Sequence, residues 1–193
     1  MSLVEVAPGL HRWTVRHEEW QEDVGCLAVD TDDGLVLIDP LDPPSELPPP
    51  EHVLLTIHWH ARSAQAPHVW AHKLTAKLLA NRSVELTDPI GSGALPGGIQ
   101  AIASARPGEV AYWLPKQKAV AVGDVLLGAG AKPHATDEPL RLCPERWLGK
   151  ATHDDLRESL APLLELPVEH VLVSHGDPVL SGGADALATV LAG

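Results

Sequence analysis

The chain of 193 residues has no phenylalanine, one tyrosine and two cysteines, and six tryptophans carry nearly all of its aromatic content. Two cysteines, Cys26 and Cys143, make no disulfide framework and read as reduced core residues. Basic residues are scarce as well: 14 Lys and Arg stand against 26 Asp and Glu, for a formal net charge of -12. That balance argues against nucleic acid and against an anionic membrane surface as partners, because both are polyanions. No stretch approaches the ~18 apolar residues of a membrane span. Residues 1–10 carry neither a basic start nor an apolar core, so the expectation is no signal peptide and a cytoplasmic location. What the chain has in quantity is histidine, eleven residues, and proline, 18.

The length suits one domain, 1–193, able to bury roughly 70% of its unfolded surface. Its first part reads as β-structure. Short, partly alternating runs over 3–6 and 10–16 are separated by Pro8-Gly9, and runs over 25–30 and 35–39 flank Thr31-Asp32-Asp33-Gly34, a hairpin signal. Residues 40–50 hold prolines 40, 43, 44, 48, 49 and 50 and must be an irregular surface connection. Residues 53–56 read as a buried strand, 61–66 and 73–81 as helices around a small apolar piece at 69–71, and 87–98 as loop. A second β block over 99–103, 109–114 and 118–122 is followed by an irregular stretch, 128–145. Residues 154–166 form a helical face of leucines behind Thr152 or His153, with Pro162 set to kink or shorten it. A strand over 168–173 and a helix over 182–191 close the chain. Two β blocks with helices outside predict an α/β protein built as a four-layer αββα sandwich.

Three apolar runs end in residues that can carry chemistry. His58 and His60 follow 53–56, Asp124 follows 119–123, and His175 follows 171–174. On an extended strand exit, side chains two apart point the same way, so the expectation is that His58 and His60 converge as half of a metal site. Other candidates weigh less. His17-Glu18-Glu19-Trp20 either overhangs a cleft or is a solvated loop, and His134 is open to the same two readings. Gly91-x-Gly93 and Gly97-Gly98 neither follow a strand nor open a helix, so they read as turns rather than a phosphate loop.

These segments resemble the metallo-β-lactamase fold hydrolases, relatives of glyoxalase II. Gly34-Leu35-Val36-Leu37-Ile38-Asp39 is similar to the family's hairpin "G-x-V-L-I-D". Residues 55–63, ending Thr56-Ile57-His58-Trp59-His60-Ala61-Arg62-Ser63, resemble "L-x-T-H-x-H-x-D-H". Arg106-Pro107-Gly108-Glu109 and the residues after it resemble "H-T-P-G-S-x-A-Y", Gly123-Asp124-Val125-Leu126 resembles "G-D-x-L", and Ser174-His175-Gly176 resembles the closing "G-H-G". The resemblance implies the four-layer sandwich and a cleft at these strand ends.

It also implies a depleted metal centre. The family's five histidines and two aspartates match His58, His60, Arg62, Ser63, Ala105, Asp124 and His175. By its scheme the first metal keeps His58, His60 and Asp124, while the second keeps only Asp124 and His175. An arginine about 4 Å from a divalent ion, at an effective dielectric near 20, opposes it by roughly 8 kcal/mol. Two metals are therefore excluded, leaving none or one divalent ion, zinc or iron. Arg62 is expected either to take the second metal's place, pairing with Asp124 and with Glu109 beside the cleft, or to extend to solvent. The leading expectation is a degenerate relative without family hydrolysis, its Arg62-centred pocket binding a small anionic ligand. The alternative is a mononuclear hydrolase of an ester, thioester or lactone. In it His58, His60 and Asp124 hold the ion, and His175 or Arg62 orients or polarises the substrate.

Overall fold

The computed structural model describes residues 2–192. The first sheet runs in chain order through β1 (Val4–Ala7), β2 (Leu10–His17), β3 (Glu22–Thr31), β4 (Gly34–Ile38), β5 (His52–Leu54), β6 (His68–Ala71) and β7 (Asp88–Pro89). It is antiparallel from β1 to β4 and parallel from β4 onward. The short helix α1 (Ala76–Ala80) lies between β6 and β7 in the chain. Then come β8 (Gln100–Ala103), β9 (Val110–Leu114), β10 (Ala119–Val122), the paired strands β11 (Leu126–Gly128) and β12 (Leu140–Leu142), α2 (His153–Leu160), β13 (His170–Val173) and α3 (Gly183–Leu191). The second sheet has the order β13-β10-β9-β8, with β13 parallel to β10 and the other pairs antiparallel.

Period-two alternation sorts the core into three clusters, one for each gap between four layers. Val36, Ile38, Leu54 and Trp70 of the first sheet meet Tyr112, Leu114, Ala119 and Ala121 of the second. The alternate residues Leu35, Leu37, Val53 and Val69 face outward onto Leu79 of α1. On the far side, Trp113, Val120, Val122 and Val171 pack under Leu156 and Leu160 of α2 and Leu187 and Leu191 of α3. The αββα expectation is met layer by layer.

Local chemistry sets the element ends. Thr152 and Asp155 form a reciprocal capping box at the start of α2, which satisfies N–H groups that the helix itself leaves free. Pro162 ends the α-helical stretch early, and residues Ala161–Glu165 continue as a 3₁₀ turn. The expected helix over 61–66 is absent: the segment is turn and bend. Its amide at Ser63 donates to the Pro40 carbonyl at 3.1 Å, so the proline-rich connection takes a donor that a helix would need. The strand expected over 53–56 stops at Leu54. His58–His60 form a turn of 3₁₀ helix.

Two seams lock the sheets together at the end where β4, β5, β10 and β13 finish. Gly25 N donates to Ser174 O at 2.8 Å, and Val110 N donates to Thr56 O at 3.0 Å. The residues just past these strand ends, Asp39, Thr56, Asp124 and His175, are all buried there.

Candidate metal centre

At the middle of this edge lies His60, fully buried. Its Nδ1 is 2.8 Å from Asp39 Oδ2, and its Nε2 is 3.2 Å from Asp124 Oδ1. Asp39 is fixed in turn, accepting from Thr56 N at 2.8 Å and from the Thr56 hydroxyl. Burial disfavours the imidazolium, but the facing carboxylates of Asp39 and Asp124 outweigh it and lift the His60 pKa to about 9. A second imidazole reaches the same oxygen: His175 Nε2 is 3.2 Å from Asp124 Oδ1, while its Nδ1 faces Glu22 Oε2 at 3.6 Å. Burial pushes the Asp124 carboxyl up, yet His60 and His175 hold it well below the usual carboxylate range.

The other oxygen of Asp124 is held separately. Oδ2 accepts from Trp59 Nε1 at 2.8 Å and from Arg106 Nη1 at 3.4 Å. The same Nη1 donates to Glu109 Oε2 at 3.1 Å, and the guanidinium lies 4.5 Å over the Trp59 ring. Glu109 Oε1 accepts from the amides of Asp124 at 2.6 Å and Val125 at 3.0 Å. Burial and the Asp124 charge push the Glu109 pKa up to about 7 against the pull of Arg106.

His60, Asp124 and His175 thus bring three ligand atoms within 4.8 Å of one another. His60 Nε2 and Asp124 Oδ1 are buried and, despite their 3.2 Å approach, neither makes an aligned hydrogen bond. A cation between them would satisfy both, and the vertex spacing of a tetrahedral ion with nitrogen and oxygen ligands is roughly 3.3 Å. Charge agrees. With His60 neutral, as a metal ligand must be, the carboxylates of Asp39, Asp124, Glu109 and Glu22 stand against the guanidinium of Arg106, so the cluster favours a cation in the place of the His60 proton. The residues fit one divalent ion.

The other expected site residues are placed elsewhere. His58 is half-buried with its ring edge-on to Trp59 and takes no part in the cluster. A 3₁₀ turn advances about 120° per residue, so residues two apart diverge where strand geometry would have aligned them. Arg62 meets neither Asp124 nor Glu109: the cation beside both carboxylates is Arg106. The Arg62 guanidinium is buried without a hydrogen-bond partner among the described residues, 5.9 Å from the centre of the Trp20 ring. Glu109 is 1% exposed, so it braces Asp124 from below instead of lining the cleft. Ser63 Oγ accepts from Asp42 N at 3.1 Å, and Ala105 N donates to Ser159 Oγ at 2.9 Å. His17 stacks on Trp20 with centroids 4.2 Å apart.

Asp124 and His175 form part of the floor of a cleft of 490 Å³ walled by Trp20, Trp59 and Trp147, with Glu22, Arg106, Lys132, Pro133 and Arg146. Arg106, Asp39, Trp59 and Trp147 are side chains of the centre and its cleft that the sequence did not single out, whereas Trp20 lies in a segment it placed over a cleft. Arg106 had a signal, a basic residue three before Glu109 in a segment already singled out. Asp39 had one in the buried acid that ends a hairpin.

No family model matches the chain, and no curated protein matches it. Solved structures do. A metallo-beta-lactamase from Erythrobacter litoralis matches at 16% identity over 98% of this chain and 95% of its own, with a TM-score of 0.67. The metallo-beta-lactamase FIM-1 from Pseudomonas aeruginosa, in its mono-zinc form, matches at 12% identity over 99% and 94%, with a TM-score of 0.65. One from Hirschia baltica matches at 14% identity over 98% and 97%, with a TM-score of 0.64. At these identities the likeness establishes the fold: the chain has the metallo-β-lactamase fold.

Proposed function

We propose that this chain holds one divalent metal ion through His60, Asp124 and His175 and acts as a mononuclear hydrolase of a small ester, thioester or lactone. The observation that carries the reading is the pair of buried, unsatisfied atoms His60 Nε2 and Asp124 Oδ1, which face each other at 3.2 Å with His175 Nε2 equally close to Asp124. Both imidazoles also turn Nδ1 to a carboxylate, Asp39 for His60 and Glu22 for His175. That is how metal-ligating histidines are usually oriented and made more basic. The ligand set differs from the one implied by the resemblance, with His175 in the place of His58. Two imidazoles and a carboxylate with open positions suit zinc hydrolases and non-haem iron.

When bound, such an ion supplies Lewis acidity toward a carbonyl and a water of lowered pKa. The rest falls to the protein. Asp39 fixes the ring plane of His60. Trp59 and Arg106 engage Asp124 Oδ2 and leave Oδ1 free to face the two imidazoles. Within the Arg106 guanidinium, Nη1 is the nitrogen hydrogen-bonded to described residues. Its remaining N–H groups, on the cleft wall, can stabilise charge that develops on a substrate oxygen. A proton competes for His60, whose pKa of about 9 reduces apparent affinity at neutral pH by roughly a hundredfold, about 3 kcal/mol. A metal must therefore displace that proton to bind.

A second reading has one observation behind it. When His60 is protonated, its imidazolium bridges Asp39 and Asp124 and, with the guanidinium of Arg106, balances their two charges, which would let a non-hydrolytic binding protein dispense with a metal. Elemental analysis of protein purified without chelator, then reloaded with zinc, manganese or iron(II), separates the two. One ion per chain is expected, lost in His60→Ala and Asp124→Ala, with thioester or lactone hydrolysis following the ion. Failure to take up stoichiometric metal under all three conditions would overturn the hydrolase reading in favour of the second.

A further inference from the structure

We infer that the cleft above the centre is selective for a flat aromatic anion, an aryl or fused-ring carboxylate or phosphate. This deepens the proposed function and rests on its reading of the cleft as the working mouth of the His60–Asp124–His175 centre. Three of the ten lining residues are tryptophan, in a space of 490 Å³, within the range of small-molecule sites. His17 stacks on one face of Trp20 and Arg106 covers one face of Trp59; the indole surface left to the cleft favours planar unsaturated partners over compact polar ones.

The charge of the lining is the second argument. Arg106, Lys132 and Arg146 bring three cations to the walls, against the carboxylates of Glu22 and Asp124. Glu22 is held within the protein, and Asp124 lies buried with Oδ1 turned to the two imidazoles. Glu22 Oε1 accepts from Lys132 N at 2.9 Å, and Oε2 faces His175 at 3.6 Å. Asp124 is shared among Trp59, Arg106, His60 and His175. Two of the cations are less committed: Lys132 Nζ donates to the neutral carbonyl of Gln21, and Arg146 is exposed beside Trp147. Arg106 is paired through Nη1 with Glu109 and Asp124 and offers its other donors. A cationic mouth on a chain of net charge -12 is a local arrangement that the overall composition does not predict, and it complements a negative head group. The Arg106 guanidinium, 4.5 Å over Trp59 and 5.9 Å from Trp147, adds a planar cationic surface to that wall.

The test uses tryptophan fluorescence and calorimetry with 2-naphthoate, 2-naphthyl phosphate, uncharged 2-naphthol and inorganic phosphate. Each is titrated into the protein as purified and after chelation. The naphthyl anions are expected to saturate one site, with naphthol and inorganic phosphate each at least about tenfold weaker. The tighter of the two naphthyl anions identifies the head group. Arg146→Gln combined with Lys132→Gln, both on the exposed rim, should weaken the anions about tenfold and leave naphthol unchanged. Naphthol binding as tightly as naphthoate, inorganic phosphate matching naphthyl phosphate, or no naphthyl compound binding to either preparation would overturn the inference. The chelated arm keeps its outcome separate from metal uptake: loss of the metal reading alone leaves the naphthyl binding in place.

Discussion

Asp39 leaves β4 through a left-handed backbone conformation, φ +49°, while almost fully buried. Aspartate tolerates that region better than most residues, and the turn brings its carboxylate back onto Thr56 and His60. Asp39→Asn keeps the shape and removes the charge. Because it leaves a buried imidazolium one partner short, it should cost roughly 3 kcal/mol in urea unfolding and about ten- to a hundredfold in metal affinity. The unmodified protein has a matching pH signature. His60 is raised above its ordinary 6.5 to about 9, so its contribution to the stability of the metal-free protein is complete below about pH 6.5 and disappears as pH climbs through 9. Metal uptake runs the other way, since the proton must leave: affinity should rise about tenfold per unit from pH 7 towards 9 and then level off. Calorimetry in buffers of different ionisation enthalpy would show the released proton. Affinity that stays flat across that range would mean His60 is not a ligand. The sequence pointed to His60, Asp124 and His175 because each follows an apolar run, and the fold brings these three together. It grouped His58 with them by an i, i+2 argument that assumes strand geometry, whereas the chain turns into a 3₁₀ helix at His58 itself.

The elements themselves were largely readable, since each buried strand obeys period-two alternation and the clusters on its two faces are distinct. Where the reading failed, at 61–66, a helix was inferred from composition while the backbone donor was already committed to residue 40, a contact no local pattern encodes. The joint between β10 and the centre was also hidden. Gly123 has ordinary φ, so no turn requires glycine there, but a Cβ would sit 2.5 Å from Thr56 Oγ1 and 2.7 Å from Glu109 Oε1. These are the groups that anchor Asp39 on one side and the Asp124 amide on the other. Gly123→Ala should therefore push two sheets apart at their seam. The expected cost is about 1–3 kcal/mol, as for overpacking a tight core, together with a larger loss of metal affinity than its stability change accounts for. Gly130→Ala is a poor control because its φ is +76°, whereas Gly93→Ala meets nothing within 4 Å at ordinary φ and should leave both measurements unchanged.

At the scale of the molecule, the centre sits on the fold without holding it up. The three apolar clusters that bind four layers together involve none of His60, Asp124 or His175. In the absence of an ion, the imidazolium of His60 and the guanidinium of Arg106 compensate Asp39, Asp124 and Glu109 from within. Small zinc modules behave differently, because there the ion supplies the folding energy and chelation unfolds the chain. Here chelated protein should keep its far-UV circular dichroism and melt cooperatively. Returning an ion at a hundred times its dissociation constant should add about 2.7 kcal/mol, a rise in Tm of roughly 5–10 °C for a domain of this size. The increment should vanish in Asp124→Ala, whose own melting would also suffer from the stranded charges of His60 and Arg106. His175→Ala is the cleaner variant, since His175 lies at the cleft floor and its loss leaves Asp124 still paired to His60 and Arg106. It should fold with nearly unchanged stability as the metal-free protein and show little of the metal-dependent rise. Unfolding on chelation would reverse this ordering and make the ion a structural element.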